Sequence, residues 1–141
     1  DLSTGNGFVI FNLSGADDGL YRTDISDDVS GLKSEEITIA IGVSEPTEYI
    51  TVSKTGNAEF FNSQGEYDVS FTGFTPTNAT QIIQEFDIAT QSNIGSPTTS
   101  SITNGNANHT ADFIPLGTGV YKVSVSADGY VSNHVSWMYS I

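Results

Sequence analysis

No cysteine occurs anywhere in the 141 residues, which removes disulfide staples and thiolate metal sites together. Cations are almost as scarce: four Lys and Arg stand against 17 Asp and Glu, a formal net charge of −13. Counterion release on a nucleic acid and attraction to anionic lipid both need cations, so neither partner is expected. No apolar run is long enough for a membrane-spanning helix, and no basic leader precedes an apolar segment as in a signal peptide. The chain starts at Asp1 without an initiator methionine, as expected of a processed product or a trimmed piece. Catalytic signatures are missing too. There is no Gly-x-Ser-x-Gly elbow, no His-Glu-x-x-His run and no phosphate-cradling glycine loop. The expectation is a protein without catalysis, although a chain this acidic leaves a glycosidase-like carboxylate pair open as an alternative.

What the chain does have is aromatic and β-branched residues in period-two order. Hydrophobic residues make up 37% and aromatics 11%, enough to argue against global disorder, and the length suits one domain with a real core. Tyr121, Val123 and Val125 alternate with Lys122, Ser124 and Ser126, the pattern of a strand with one buried face. Ala127-Asp128-Gly129 supplies a turn. A second alternating run then puts Val131, Val135, Trp137, Tyr139 and Ile141 on one side and Ser132, His134, Ser136 and Ser140 on the other. Further strands are expected at Phe8 to Leu13, buried on both faces, at Ile37 to Val43, at Tyr49 to Ser53, at Ala58 to Asn62, from Gly65 to Thr72 and from Gln81 to Thr90. A strand ending at a turn is expected around Ala111 and Phe113. Gly15 to Leu32 reads as a long acidic loop, and Ile94 to Asn108 as a polar stretch with at most a short strand near Ile102. No segment carries a sustained helical period, so the fold class is all-β.

Gly65-Glu-Tyr67-Asp-Val69-Ser-Phe71-Thr echoes Gly119-Val-Tyr121-Lys-Val123-Ser-Val125-Ser in type and alternation. Two copies do not make a solenoid; they read as equivalent strands on the two facing sheets of a sandwich. Within the second copy, Leu116-x-x-Gly119-x-Tyr121-x-Val123 resembles the tyrosine corner of immunoglobulin-like and fibronectin-type-III-like sandwiches. The resemblance covers roughly residues 49–141. It implies that the Tyr121 hydroxyl caps backbone in the preceding corner, that Val69 and Val123 stand where antibody domains place cysteines, and that Phe86 replaces the core tryptophan. Those departures point away from antibody domains and toward Ig-like modules of microbial secreted or surface proteins. The expected organisation is a single domain: an Ig-like core over 46–141 and, over 1–45, added N-terminal strands with the acidic loop.

Several residues are singled out for function. Asp17, Asp18, Asp24, Asp27 and Asp28 could give Ca²⁺ the several oxygen ligands it needs on a flexible loop, though their spacing is not that of an EF-hand and a solvated acidic loop is the plainer reading. Trp137 and Tyr139 share a strand face and would stack sugar rings if exposed, but they also share the parity of core residues. Asn12, Asn78 and Asn108 each open a glycosylation triplet. Phe8, Val9, Ile10 and Phe11 form an apolar strand near the start of the chain that has to be covered, by its own sheet or by adding to a neighbouring copy. Two functions follow as expectations, both set outside the cell or on its surface. One is a structural or adhesive protein that self-associates, as in a filament or surface layer. The other is a carbohydrate-binding module of a secreted polysaccharide-degrading enzyme, with glycans as partners.

Overall fold

The computed structural model describes residues 10–25, 34, 36–44, 46–55 and 64–141. Among these residues the chain forms strands and one 3₁₀ turn, without an α-helix: β1 (Gly19–Thr23), β2 (Ile37–Ile41), β3 (Tyr49–Lys54), β4 (Gln64–Thr72), β5 (Ala79–Asp87), β6 (Ser92–Ile102), β7 (Ala107–Asp112), β8 (Gly119–Ala127), β9 (Tyr130–Val131) and β10 (Val135–Tyr139). They build an all-β sandwich of two antiparallel sheets with an N-terminal hairpin added. One sheet runs β3-β4-β7, the other β10-β8-β5-β6 with β9 beside β8, while β1 and β2 pair with each other.

The echo in the sequence is the frame of the sandwich. β4 is the centre of the smaller sheet and β8 an inner strand of the larger. Each turns its odd-numbered residues inward: Tyr67, Val69 and Phe71 from β4, and Tyr121, Val123 and Val125 from β8, are all buried. Ile50, Val52, Ile83, Val135, Trp137 and Tyr139 complete the same core, and Phe113 stacks on Tyr121 at 5.2 Å and 11° between ring planes. Trp137 fits because β4 opposes it with Gly65. A Cβ on that glycine would lie 2.6 Å from the indole ring. A polar bridge crosses the core. The Tyr67 hydroxyl donates to Gln81 Oε1 at 2.5 Å, and Gln81 Nε2 donates to Ser100 Oγ at 3.3 Å.

The corner before β8 closes as the tyrosine pattern requires. Residues Ile114–Leu116 make the 3₁₀ turn, Gly117 leaves it at φ 88°, and the Tyr121 hydroxyl donates to the carbonyls of Leu116 (3.1 Å) and Gly117 (2.8 Å). After β8 the chain reverses through Asp128 and Gly129, both at positive φ as a two-residue hairpin turn demands.

Four expectations are corrected. The run after Gly129 is not one strand. Val131 pairs with Ser126 and Val135 with Val123, so four steps on one strand face three on the other. The extra residue is a bulge, which switches the faces. Val131 is therefore exposed, whereas Val135 and Ser136 are both buried. Second, the polar stretch after Ile94 belongs to an eleven-residue strand, β6, exposed from Ser92 to Ser101. With solvent on both faces it needs no apolar alternation, and as a sheet edge it tolerates Pro97. Third, the acidic loop contains β1, and Ile10 to Leu13 lie in no strand; Phe8, Val9 and the expected strand at Ala58 to Asn62 fall outside the described residues. Fourth, Phe86 is buried beneath the Lys122 ammonium, 4.2 Å from its ring, and does not belong to the main core cluster.

Candidate functional site

The hairpin and the sandwich meet along a seam, and polar side chains gather there. Thr23 pairs with Ile37 at one end of the β1–β2 ladder, so Asp24, just past β1, and Glu36, just before β2, emerge side by side. Beyond them Ser34 holds the ends together: its Oγ accepts from Ile25 N at 2.8 Å and its own N–H donates to Ile25 O at 2.7 Å. His134 comes from the other side, in the bulged segment between β9 and β10. Its Nδ1 lies 2.6 Å from Glu36 Oε1 and its Nε2 3.6 Å from Asp24 Oδ2. The remaining Glu36 oxygen, Oε2, is buried without a hydrogen bond, 3.7 Å from the Arg22 guanidinium. Among the described residues these three are the group of metal-ligand type, with one candidate atom from each within 4.8 Å of the others.

Next to this cluster lies a cleft of about 600 Å³ that shares Glu36 with it. Leu20, Arg22, Thr38 and Ala40 face it from the hairpin; the register pairs Leu20 with Ala40 and Arg22 with Thr38, so the four share one side. The opposite wall is β3, whose outer edge is closed by a side chain. Asn133 Oδ1 accepts from Val52 N at 2.8 Å while Asn133 Nδ2 donates to Val52 O at 2.7 Å. The amide thus stands in for a neighbouring strand, and an incoming strand would have to displace it. Ser132 does similar work one residue earlier, with its hydroxyl accepting from Val125 N at 2.8 Å.

The expected site residues are distributed unevenly. Asp24 joins the cluster, but Asp17 and Asp18 are exposed and sit before β1, and Asp27 and Asp28 lie outside the described residues. Five strand residues at about 3.3 Å each separate Asp18 from Asp24, so these two do not meet at one ion. Asp18 instead packs against Gly42, where a Cβ would lie 2.1 Å from its Oδ1. Trp137 and Tyr139 are 3% and 8% exposed. Both rings belong to the core, so they offer no platform for a sugar. Asn12, Asn78 and Asn108 are exposed, but Asn108 is engaged through Nδ2 with Thr55 Oγ1 (3.0 Å) and Asp68 Oδ1 (3.1 Å). Ile10 is 82% and Phe11 45% exposed. Phe11 lines a second hollow, of about 420 Å³, with Thr23, Ile25 and Ile37 on the hairpin.

Titratable groups elsewhere are shaped by the fold. Burial pushes the Tyr67 phenol well above its ordinary range, and Tyr121 is raised by burial first, then by Glu85 and Tyr139. Burial lowers His109. Glu36 and His134 escaped the sequence reading as ligands, because the alternation of the last strand put His134 on its open side. The only signal was a histidine close to a bulge-forming Ser132-Asn133 pair. No protein-family model matches the chain, and no curated protein matches it. Among the described residues no helix is long and apolar enough to cross a membrane.

Proposed function

We propose that this chain is a non-catalytic β-sandwich subunit of the Ig-like or fibronectin-type-III-like kind, serving as structural or adhesive material outside the cell or at its surface. It self-associates through its N-terminal region, the apolar segment Phe8 to Phe11 of one copy adding to a sheet edge of the next. The observation that carries this reading is the apolar surface around the hairpin. Ile10, Phe11, Ile25 and Ile37 are all exposed, and three of them line one hollow. A sandwich that covers its own core so fully has no internal reason to leave that surface wet, and such patches on soluble proteins mark partner contacts. The tyrosine corner at Tyr121 supports the Ig-like kind. For an acceptor, β6 ends its sheet and presents an eleven-residue edge, while β3 is closed by Asn133. Addition of a strand from one copy to a different surface of the next is heterologous, and a contact that does not close yields a filament.

Sedimentation of the full chain and of a chain lacking residues 1–13, over a range of concentrations, tests the proposal. Open-ended oligomers in the full chain, lost in a folded truncated chain, are the expected result. A full chain that stays monomeric at high concentration, or that stops at a closed dimer, would overturn it.

A further inference from the structure

Asp24, Glu36 and His134 come together at one seam from opposite sides, two from the hairpin and one from the sandwich. Both imidazole nitrogens are directed at carboxylates. The Nδ1–Glu36 contact of 2.6 Å is a hydrogen-bond distance, while the 3.6 Å from Nε2 to Asp24 Oδ2 is too long for one. Each ring nitrogen thus faces one carboxylate at ion-pair distance, with Asp24 across the ring from Glu36. A tetrahedral zinc ion, with bonds of about 2.0–2.2 Å, holds its ligand atoms about 3.4 Å apart, close to the spacing of Nε2 and Oδ2. The opposite nitrogen already has what a metal-bound histidine needs. A carboxylate on Nδ1–H fixes the tautomer and the ring orientation, and leaves the Nε2 lone pair directed at the ion.

We infer that the seam is a binding site for one divalent transition-metal ion of the zinc class. His134 Nε2 and Asp24 are the ligands, Glu36 is the residue that positions the imidazole, and water completes the shell. The nitrogen ligand selects against Ca²⁺, which takes oxygen. All three side chains are half-buried, so the ion would be partly shielded from water yet reachable. Bound there, it rivets the hairpin to the sandwich and fixes both the 600 Å³ cleft and the apolar hollow beside it. This inference does not depend on self-association.

Calorimetric titration of the full chain with ZnCl₂, after removal of metals by EDTA, tests it. One ion per chain is expected, with a melting temperature that rises with zinc concentration. His134→Asn and Asp24→Asn, which change half-buried residues on separate parts of the fold, should each abolish measurable binding. Glu36→Gln should weaken it about 10–100-fold, as loss of an outer partner does. His109→Asn should leave it unchanged, and CaCl₂ should not compete. Absence of zinc binding would overturn the site. So would binding that survives His134→Asn and Asp24→Asn, binding lost equally in His109→Asn, or displacement by equimolar Ca²⁺.

Discussion

β8 and β1 are both antiparallel strands, yet they live in different surroundings. β8 buries Tyr121, Val123, Val125 and Ala127 between two sheets, and hydrogen bonds through the Tyr121 and Ser132 hydroxyls fasten its corner and its flanking bulge. The β1–β2 hairpin buries none of its residues, leaving Leu20 half-exposed and Ile37 well exposed. A two-stranded hairpin in water is marginal on its own. The sandwich therefore carries the stability of the molecule, and the hairpin takes its order from the seam at His134 and from whatever covers its apolar side. Of these two strands, β1 has the less internal support, and its hairpin leaves apolar side chains open to a partner.

Substitutions should separate the two regions by size of effect. Trp137→Ala empties the centre of the sandwich and is expected to cost about 3–5 kcal/mol in denaturant unfolding, the range of a large aromatic lost from a core. Asn133→Ala comes next. It strips both the donor and the acceptor from Val52 at the edge of β3, a loss of about 2 kcal/mol for two hydrogen bonds at roughly 1 kcal/mol each. It should also expose β3 to strand addition, visible as a new oligomer in sedimentation. Tyr121→Phe keeps the ring stacked on Phe113 and removes only the hydroxyl contacts of the corner, for about 1 kcal/mol. Equal denaturant midpoints for this variant and the parent would refute the corner's role. Smallest of all, Ile37→Ser on the hairpin should shift monomer stability by less than about 0.5 kcal/mol. A large loss there would mean that the hairpin is part of the core.

The same contrast explains what the sequence could reveal. β4 and β8 were legible because each has one dry and one wet face, and Tyr67-Val69-Phe71 and Tyr121-Val123-Val125 write that out at period two. β6 was not, since a strand wet on both faces has no apolar period to read, and its Ser and Thr residues look like a loop. The bulge at Ser132 to His134 was invisible for another reason. One added residue leaves composition unchanged and reverses the face of what precedes it, so the alternation of the run places Val131 inward although it pairs with the outward Ser126. The candidate metal site was hidden by docking rather than by the bulge. Asp24 stood out as one of a dense group of acids, but its meeting with a histidine 110 residues later depends on how hairpin and sandwich dock, which no local pattern encodes.

Amide hydrogen exchange on the full, metal-free chain tests most directly whether the molecule is a self-sufficient sandwich carrying a dependent hairpin. The account predicts that amides of β4, β5 and β8 exchange only by global unfolding, while those of β1 and β2 exchange through a local opening at least about a hundredfold faster. Equal protection in β1, β2 and β8 would contradict it, because the hairpin would then be a structural part of the sandwich.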